Sequence, residues 1–301
     1  MRKYTNPIIE FKQSEYGRTA DPYVLRYNDK YYHCYTKPDG VYITEADELC
    51  DICDGREMKV FSDSEHTAEW YAPELHRIGN KWYIYGAPSI DGGEVHSMCV
   101  LEYDGEIPMG AYEFKGTVRG IEGKWSIDGT VFEHNGVNLF VWADCGNLYI
   151  SEMDSPFSLK GKAETIARCA EYEFETRCGR IIEGPAVLKR GNKIHIVYSA
   201  NNSKSDEYCL GILTWCGGDI LDSANWIKKD GAVFEKTDDI FGPGHCSFTT
   251  VTENGILEDY IVYHANLESG SGWFGRNVWI QKFEWDENDM PVFGKPSREM
   301  V

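Results

Sequence analysis

Short apolar runs of four or five residues dominate the chain, and polar turn residues separate them. Five runs share one form, in which a turn of Asn, Asp or Gly precedes apolar or aromatic residues and then a small residue. In chain order they are YNDKYYHCYT, IGNKWYIYGA, HNGVNLFVWA, RGNKIHIVYS and NGILEDYIVYHA. Tight hairpin turns need positive φ angles, which Asn, Asp and Gly adopt at low cost. We therefore predict that each run is the second strand of a β-hairpin.

A polar ionisable residue beside Pro or Gly lies upstream of each predicted turn, and a short apolar strand follows it. These residues are Asp21, Glu74, Asp128, Glu183 and His245, separated by 53, 54, 55 and 62 residues. Near-even spacing of about 50 residues is typical of a four-stranded propeller blade. Since helical periodicity is scarce, we predict an all-β fold: a single five-bladed β-propeller over residues 1–301, with four-stranded blades around a central channel. A β-sandwich with chance spacing is the alternative.

The repeat also predicts where the ionisable residues meet. In a propeller the first strand of each blade lines the central channel, so equivalent positions of the five blades converge around the axis. Clustered, buried carboxylates are costly because they repel each other, and some of their pKa values rise. Such a cluster suits proton transfer, a cation or a ligand rich in hydroxyl groups. Glycoside hydrolysis needs this equipment: one carboxylic acid protonates the leaving oxygen, and one carboxylate activates water or attacks the sugar.

Composition narrows the partners. The chain has 49 Asp and Glu against 30 Lys and Arg, a formal net charge of −19. Nucleic acids and anionic membranes need a basic surface, so we expect neither as a partner. No apolar run approaches the roughly 20 residues of a membrane span. The 9 Trp, 19 Tyr and 13 Phe residues favour a carbohydrate ligand, because sugar rings stack their apolar faces on aromatic side chains.

The N-terminus and the cysteines favour a cytoplasmic location. The segment MRKYTNPIIEFKQSEYG has a basic start but no apolar core and no small-residue cleavage site, so we identify no signal peptide. The 10 cysteines are scattered through apolar stretches, as expected of small buried residues in a reducing compartment. Cys50 and Cys53 form a close pair but lack the second pair of a zinc site, and we assign them no role.

Five motifs, taken in order, carry a resemblance to a known family. The motifs are ADPYV, YAPEL, SIDGTVF, EGPAVLKRGNKIHIVYSA, and GPGHCSF followed by YIVYHA. Together they resemble glycoside hydrolase family 43, from about Asn6 to the C-terminal WDENDMPVFGKP. The resemblance implies a five-bladed propeller that acts on arabinose- or xylose-containing oligosaccharides and inverts the anomeric carbon.

The resemblance also implies roles for single residues. Asp21 matches the general base, Glu183 the general acid, and Asp128 the acid that raises the pKa of the donor and orients it. An inverting enzyme then needs Asp21 and Glu183 about 6.5–9.5 Å apart, so that a water molecule fits between them. His245 matches a histidine beside a hydrated calcium ion (Ca2+), and Arg276 matches an arginine that binds substrate hydroxyls.

The aromatic wall of a sugar pocket has two candidates. The family often has Trp directly before Ala-Pro-Glu, whereas this chain has Tyr71 there and Trp70 one place earlier. Either ring could stack on the sugar, since alternate strand positions face opposite ways. Glu74, in the same motif, is assigned no chemical step.

The expected activity is that of an inverting exo-glycosidase, an α-L-arabinofuranosidase that releases terminal L-arabinofuranose from arabinan or arabino-oligosaccharides. Three alternatives stay open: a β-xylosidase of the same family, a non-catalytic carbohydrate-binding propeller, and a retaining enzyme related to the fructan hydrolases. The last type uses an aspartate in an Asn-Asp-Pro context, where this chain has Ala20 before Asp21.

Overall fold

The computed structural model describes residues 4–62 and 67–299. In these ranges the strands form four four-stranded sheets, one three-stranded sheet and a two-stranded ribbon. Each large sheet is an antiparallel meander with its strands in chain order. The first strand of each large sheet lies against the first strands of two neighbouring sheets, and the first and last sheets meet in the same way. The sheets therefore close into a ring, which confirms the predicted five-bladed β-propeller.

The first three blades have four strands each. Blade 1 consists of β1 (Tyr23–Tyr27), β2 (Lys30–Lys37), β3 (Gly40–Ala46) and β4 (Arg56–Ser62). Blade 2 consists of β5 (Thr67–Ile78), β6 (Lys81–Ile90), β7 (Cys99–Tyr103) and β8 (Glu113–Thr117). Blade 3 consists of β9 (Ile127–His134), β10 (Val137–Ala143), β11 (Asn147–Ser155) and β12 (Ser158–Arg168).

The last two blades differ at their outer edges. Blade 4 consists of β13 (Ile182–Arg190), β14 (Lys193–Ala200), β15 (Cys209–Trp215) and β16 (Trp226–Lys228). Blade 5 consists of β17 (Phe241–Glu253), β18 (Ile256–Asn266) and β19 (Asn277–Lys282), and the ribbon of β20 (Glu284–Trp285) and β21 (Pro291–Val292) follows. The helices of the described residues are short 3-10 turns, at Gln13–Glu15, Leu49–Asp51, Glu173–Thr176, Ser223–Asn225 and Gly272–Gly275. None of these turns is long and apolar enough to cross a membrane.

Each blade begins with the hairpin that the sequence predicted. In blade 1 the turn between β1 and β2 leaves two residues between the paired Tyr27 and Lys30. The first two strands of the other four blades are joined by two-residue turns in the same way. In blade 3 the turn residues Asn135 and Gly136 have φ angles of 52° and 76°, as a type I′ turn requires. The two-residue turn between the first two strands of each blade therefore sets the register of that inner hairpin.

The N-terminal segment closes the ring. Blade 5 has three strands, and Ile9 pairs with Val278 on the outer edge of β19 through an antiparallel bridge. Asn6 fixes this segment further, because its Nδ2 donates to the Ile280 carbonyl at 2.7 Å and its Oδ1 accepts from the Ile280 N–H at 3.0 Å. The predicted four-stranded blades thus hold for blades 1 to 4, while a short N-terminal segment takes the place of the fourth strand in blade 5.

The apolar core lies between the faces of neighbouring blades. Tyr32 and Trp82 belong to a cluster between blades 1 and 2, and Tyr263 and Trp279 belong to a cluster between blades 4 and 5. All four rings are fully buried. Many aromatic residues of the chain therefore pack blades together, so the aromatic count by itself is weak evidence for a sugar ligand.

Replacing Asn6 by Ala is expected to destabilise the protein by about 2–3 kcal/mol. The substitution removes both hydrogen bonds to the buried backbone of Ile280, which leaves the Ile280 N–H unpaired and its carbonyl with the longer 3.4 Å bond from the Tyr4 hydroxyl. Urea unfolding measures the change, and Glu10→Ala at an exposed position of the same segment is the control. A loss no larger in the Asn6 variant than in the Glu10 variant would contradict the proposed closure.

Candidate active site

The innermost strands of all five blades share a bend where they open the channel. Each strand has a residue with positive φ at this bend, in the strand or just before it: Asp21 (48°), Ala72 (38°), Asp128 (56°), Gly184 (57°) and His245 (41°). A second such residue lies earlier in β5, at Glu69 (51°), and in β17, at Gly242 (56°). In blades 2 to 5 the pairing with the next strand shifts register at this point. Such a conformation costs a non-glycine residue about 1–3 kcal/mol, so surrounding contacts must hold it in place.

The bend positions differ from those that the even sequence spacing suggested. Three of the five ionisable candidates lie at the bend, but Glu183 precedes it by one residue and Glu74 follows it by two. Glu74 contacts His76, with 2.9 Å between Oε2 and Nε2, beside a channel cavity of about 180 Å³. Sequence spacing therefore identified these residues but not their positions relative to the bend, and an offset of one residue along a strand changes the face on which a side chain lies.

Asp21 is surrounded by positive or polar nitrogen atoms. Its Oδ1 lies 3.2 Å from Nη1 of Arg276, 3.3 Å from Nδ1 of His245 and 3.4 Å from Nδ1 of His264. Burial alone would raise the pKa of Asp21, but the charges of His245 and Arg276 outweigh burial and lower it. Asp21 is therefore an ionised carboxylate over the whole neutral range.

Asp128 and Glu183 have the opposite electrostatic environment. Burial raises the pKa of Asp128 to about 6, and the charge of Asp21 adds to the rise. Burial, followed by the charge of Asp128, raises the pKa of Glu183 to about 7. Asp128 Oδ2 also accepts the Gly184 N–H at 2.9 Å, which joins blade 3 to the strand that carries Glu183. This pair therefore keeps a proton near neutral pH, unlike Asp21.

His245 lies among these carboxylates. Burial lowers its pKa, but Asp21, Asp128 and Glu183 outweigh that effect and raise it. Its backbone N–H donates to Ser199 Oγ at 2.8 Å. His245 thus supplies positive charge to an acidic pocket.

The two candidate aromatic residues point in different directions. Trp70 is 4% exposed and packs edge-on against Phe61, with ring centroids 5.5 Å apart, in the core between blades 1 and 2. Tyr71 is 39% exposed and stacks on His96, with centroids 3.8 Å apart and planes 9° apart. Burial raises the pKa of Tyr71, and the charges of Glu69, Tyr16 and Asp21 add to the rise, so its ring lies within electrostatic reach of Asp21. Tyr71 is the ring available to a ligand.

The exposed ring of Trp125 extends the surface formed by Tyr71 and His96. Trp125 is 40% exposed and meets His96 edge-on, with ring centroids 5.5 Å apart. Its indole acts to lower the pKa of the neighbouring Cys145 thiol, which burial, followed by the charge of Glu183, raises to about 12, and the Cys145 carbonyl accepts the Ile182 N–H at 3.1 Å. Trp125 therefore lies on the Glu183 side of the pocket. Tyr71, His96 and Trp125 together form what we call the aromatic wall.

Sequence analysis missed several residues of this site. His264, from the YIVYHA motif, was given no role, yet its Nδ1 accepts the Asp21 backbone N–H at 3.2 Å. Tyr208 was also missed, although its hydroxyl donates to Glu183 Oε1 at 2.8 Å. His264 could have been noticed within its motif, whereas Tyr208 lies in an apolar run and carried no sequence signal.

The pocket combines an ionised carboxylate with a carboxyl group that stays protonated near neutral pH. Carboxyl groups whose environments separate their pKa values form the acid–base pairs that cleave glycosidic bonds. Asp21 and Glu183 have these two properties, and Asp128 contributes to the difference. The fold and the site together define a glycoside hydrolase.

Comparison with known proteins gives the family. The sequence-family model described as glycosyl hydrolases family 43 matches residues 4–291 of this chain. The chain belongs to glycoside hydrolase family 43, which confirms the resemblance seen in its motifs.

The relatives include enzymes named as arabinofuranosidases. An extracellular exo-α-(1→5)-L-arabinofuranosidase of Streptomyces chartreusis is 34% identical over 281 residues, covering 87% of this chain and 82% of the relative. One of Streptomyces avermitilis with the same description is 32% identical over 321 residues, covering 99% of this chain and 64% of the relative. The crystal structure of an α-L-arabinofuranosidase from Lactobacillus brevis aligns with a TM-score of 0.88 and 30% identity, over 99% of this chain and 98% of that one. Since both Streptomyces enzymes are named extracellular, the cytoplasmic location of this protein stays a prediction from its N-terminal sequence.

Replacing Glu183 by Gln is expected to stabilise the protein above neutral pH. Folding raises the pKa of Glu183 from 4.5 to about 7, so the folded state binds this proton more tightly than the unfolded chain does. The resulting stability is fully present below about pH 4.5 and is lost as the pH rises through about 7. Gln avoids this loss and keeps an acceptor for Tyr208. We expect its free energy of unfolding in urea to exceed that of the wild type by about 1–3 kcal/mol at pH 8, and by less at pH 5.

Glu284→Gln, at an exposed position of β20, is the matched control. Its difference from the wild type is expected to be the same at pH 5 and pH 8. The burial argument is wrong if the Glu183 variant shows no greater advantage at pH 8 than at pH 5.

Proposed function

We propose that this family 43 enzyme is an inverting exo-glycosidase that releases terminal L-arabinofuranose from arabinan or arabino-oligosaccharides. The observation that carries the proposal is the opposite pKa shifts of two carboxyl groups in one pocket, lowered for Asp21 and raised to about 7 for Glu183. The names of the Streptomyces and Lactobacillus relatives support the choice of arabinofuranose.

In the proposed reaction, Asp21 is the general base and Glu183 the general acid. Asp21 takes a proton from a water molecule while the water oxygen forms a bond to the anomeric carbon. The bond from that carbon to the glycosidic oxygen breaks, its electron pair stays on the oxygen, and the oxygen takes the proton of Glu183. The attack from the opposite side inverts the anomeric carbon. It requires a separation of about 6.5–9.5 Å between the two carboxyl groups.

Asp128 acts on the proton donor in this proposal. After burial, its negative charge is the next largest cause of the raised pKa of Glu183. Its hydrogen bond to the Gly184 N–H also holds the backbone beside Glu183. Asp128 therefore both keeps the donor protonated and orients it.

Arg276 and Tyr71 are the proposed substrate contacts. Arg276 is 8% exposed, with its Nη1 on Asp21 and its guanidinium 5.6 Å from the centroid of the Trp273 ring. It can donate to sugar hydroxyls beside the base, as a planar guanidinium does well. The exposed face of the Tyr71 ring supplies the apolar surface for a sugar ring, whereas the Trp70 ring is buried in the core between blades 1 and 2.

A hydrated calcium ion beside His245 is a further proposal, based on the family resemblance. Among the described residues, no group of three or more His, Cys, Asp or Glu side chains is arranged to hold a metal. These described residues therefore do not form a complete calcium shell, and water would provide most of the oxygen ligands that calcium prefers. No step of the proposed reaction passes through the ion.

The first test compares hydrolysis of p-nitrophenyl α-L-arabinofuranoside, p-nitrophenyl β-D-xylopyranoside and α-1,5-arabinobiose. We expect a kcat/KM preference of at least about tenfold for the arabinofuranoside over the xyloside. Glu183→Ala is expected to lower kcat on arabinobiose by about 10²–10⁴-fold, because the sugar leaving group needs a proton. The nitrophenyl substrate needs less protonation and should lose less. Glu284→Ala is the control.

Each contrary outcome has a definite meaning. Preference for the xyloside would make the protein a β-xylosidase, and absence of hydrolysis by the wild type would favour a carbohydrate-binding propeller. Proton NMR of the first sugar released distinguishes inversion from the retaining mechanism.

Calcium binding is tested by thermal unfolding. Calcium added to EDTA-treated protein is expected to raise its melting temperature, because a ligand that binds only the folded state stabilises it. His245→Ala should abolish the rise. An equal rise in both proteins would contradict a site at His245.

A further inference from the structure

Tyr208 makes a direct contact with the proposed proton donor. It lies just before β15, its side chain is fully buried, and its hydroxyl donates to Glu183 Oε1 at 2.8 Å. Ser199 lies on β14, the strand that pairs with β15, and its Oγ accepts the His245 N–H at 2.8 Å. Two hydrogen bonds therefore hold this side of the pocket, one from the His245 N–H to Ser199 and one from Tyr208 to Glu183.

The ring of Tyr208 is held on two sides. It lies parallel to the His264 ring, with planes 6° apart and centroids 5.6 Å apart. On another side lies Gly244, where an added Cβ would lie 2.3 Å from the ring atom Cε1. Glycine is therefore required there in order to leave room for the tyrosine ring.

His264 links this ring to the proposed base. Its Nδ1 accepts the Asp21 N–H at 3.2 Å, and burial lowers its pKa well below the usual value. The ring is thus neutral, with its proton on Nε2. One stacked pair of side chains therefore contacts the residues proposed as base and acid, which come from blades 1 and 4.

We propose that Tyr208 is a positioning residue that selects the oxygen of Glu183 that carries the catalytic proton. The Tyr208 hydroxyl donates its hydrogen bond to Oε1 of Glu183, so Oε1 acts as the acceptor. The proton of Glu183 therefore resides on Oε2, from which it passes to the glycosidic oxygen. Stacking on His264 and the absence of a side chain at Gly244 hold the hydroxyl in place. The inference rests on the proposed function, since it assigns Glu183 the role of acid.

The decisive variant is Tyr208→Phe, which removes the hydroxyl and keeps the ring. Without the hydroxyl, Glu183 can rotate or place its proton on the wrong oxygen, so acid catalysis weakens. We expect kcat on α-1,5-arabinobiose to fall by about 10–100-fold, within the contribution typical of general acid catalysis. On p-nitrophenyl α-L-arabinofuranoside, whose leaving group needs little protonation, we expect a loss of less than about threefold.

Tyr198→Phe is a matched control. Tyr198 is equally buried, and its hydroxyl donates to Glu175 Oε1 at 2.8 Å, so the variant loses the same kind of bond away from the pocket. We expect its ratio of activities on the two substrates to equal that of the wild type. Melting temperatures of both variants show whether each is folded.

A second variant keeps the inference testable if Tyr208→Phe does not fold. Gly244→Ala retains the hydroxyl but pushes the ring away from its place, and the same selective loss on arabinobiose is expected. Equal losses on both substrates, or no loss in a folded variant, would overturn the role of Tyr208. The wild type measured in parallel separates this result from failure of the proposed function, which would appear as no hydrolysis of either substrate.

Discussion

Backbone N–H groups at the bends of the innermost strands tie blades to the blades before them. The bonds are Asp21 N to His264 Nδ1 at 3.2 Å, Gly184 N to Asp128 Oδ2 at 2.9 Å, and His245 N to Ser199 Oγ at 2.8 Å. A bend withdraws its N–H from the strand ladder, and a buried N–H must find another partner. Because that partner is a side chain of the preceding blade, the strained φ angles depend on closure of the ring.

The same bends place the proposed acid–base groups. Asp21, Asp128 and His245 lie at the bend, and Glu183 lies one residue before it. Functional side chains held at unfavourable backbone angles need a rigid surrounding structure, and here the packed blade faces supply it. The N-terminal segment on blade 5 belongs to this arrangement, because it completes the blade whose strands carry His245 and His264.

Charge balance decides what the pocket can do. Three carboxyl groups share it, and the charge of His245 acts to lower the pKa of all three, but only for Asp21, which Arg276 also contacts, does the lowering outweigh burial. Burial and mutual repulsion keep the other two protonated to higher pH. This arrangement lowers the stability of the folded protein at alkaline pH, as expected where a buried carboxyl group is kept for its chemistry.

The sequence by itself determined the five inner hairpins, the approximate blade repeat and the motifs that contain Asp21, Asp128 and Glu183. These features are local: a two-residue turn and a strand period follow from the residues within them. Tertiary structure alone decided that Trp70 is core and Tyr71 is exposed, that the N-terminus completes blade 5, and that Tyr208 reaches Glu183. These outcomes depend on the bend in each inner strand and on contacts between distant residues, because an offset of one position reverses the face of a strand and only blade packing fixes which residues then meet.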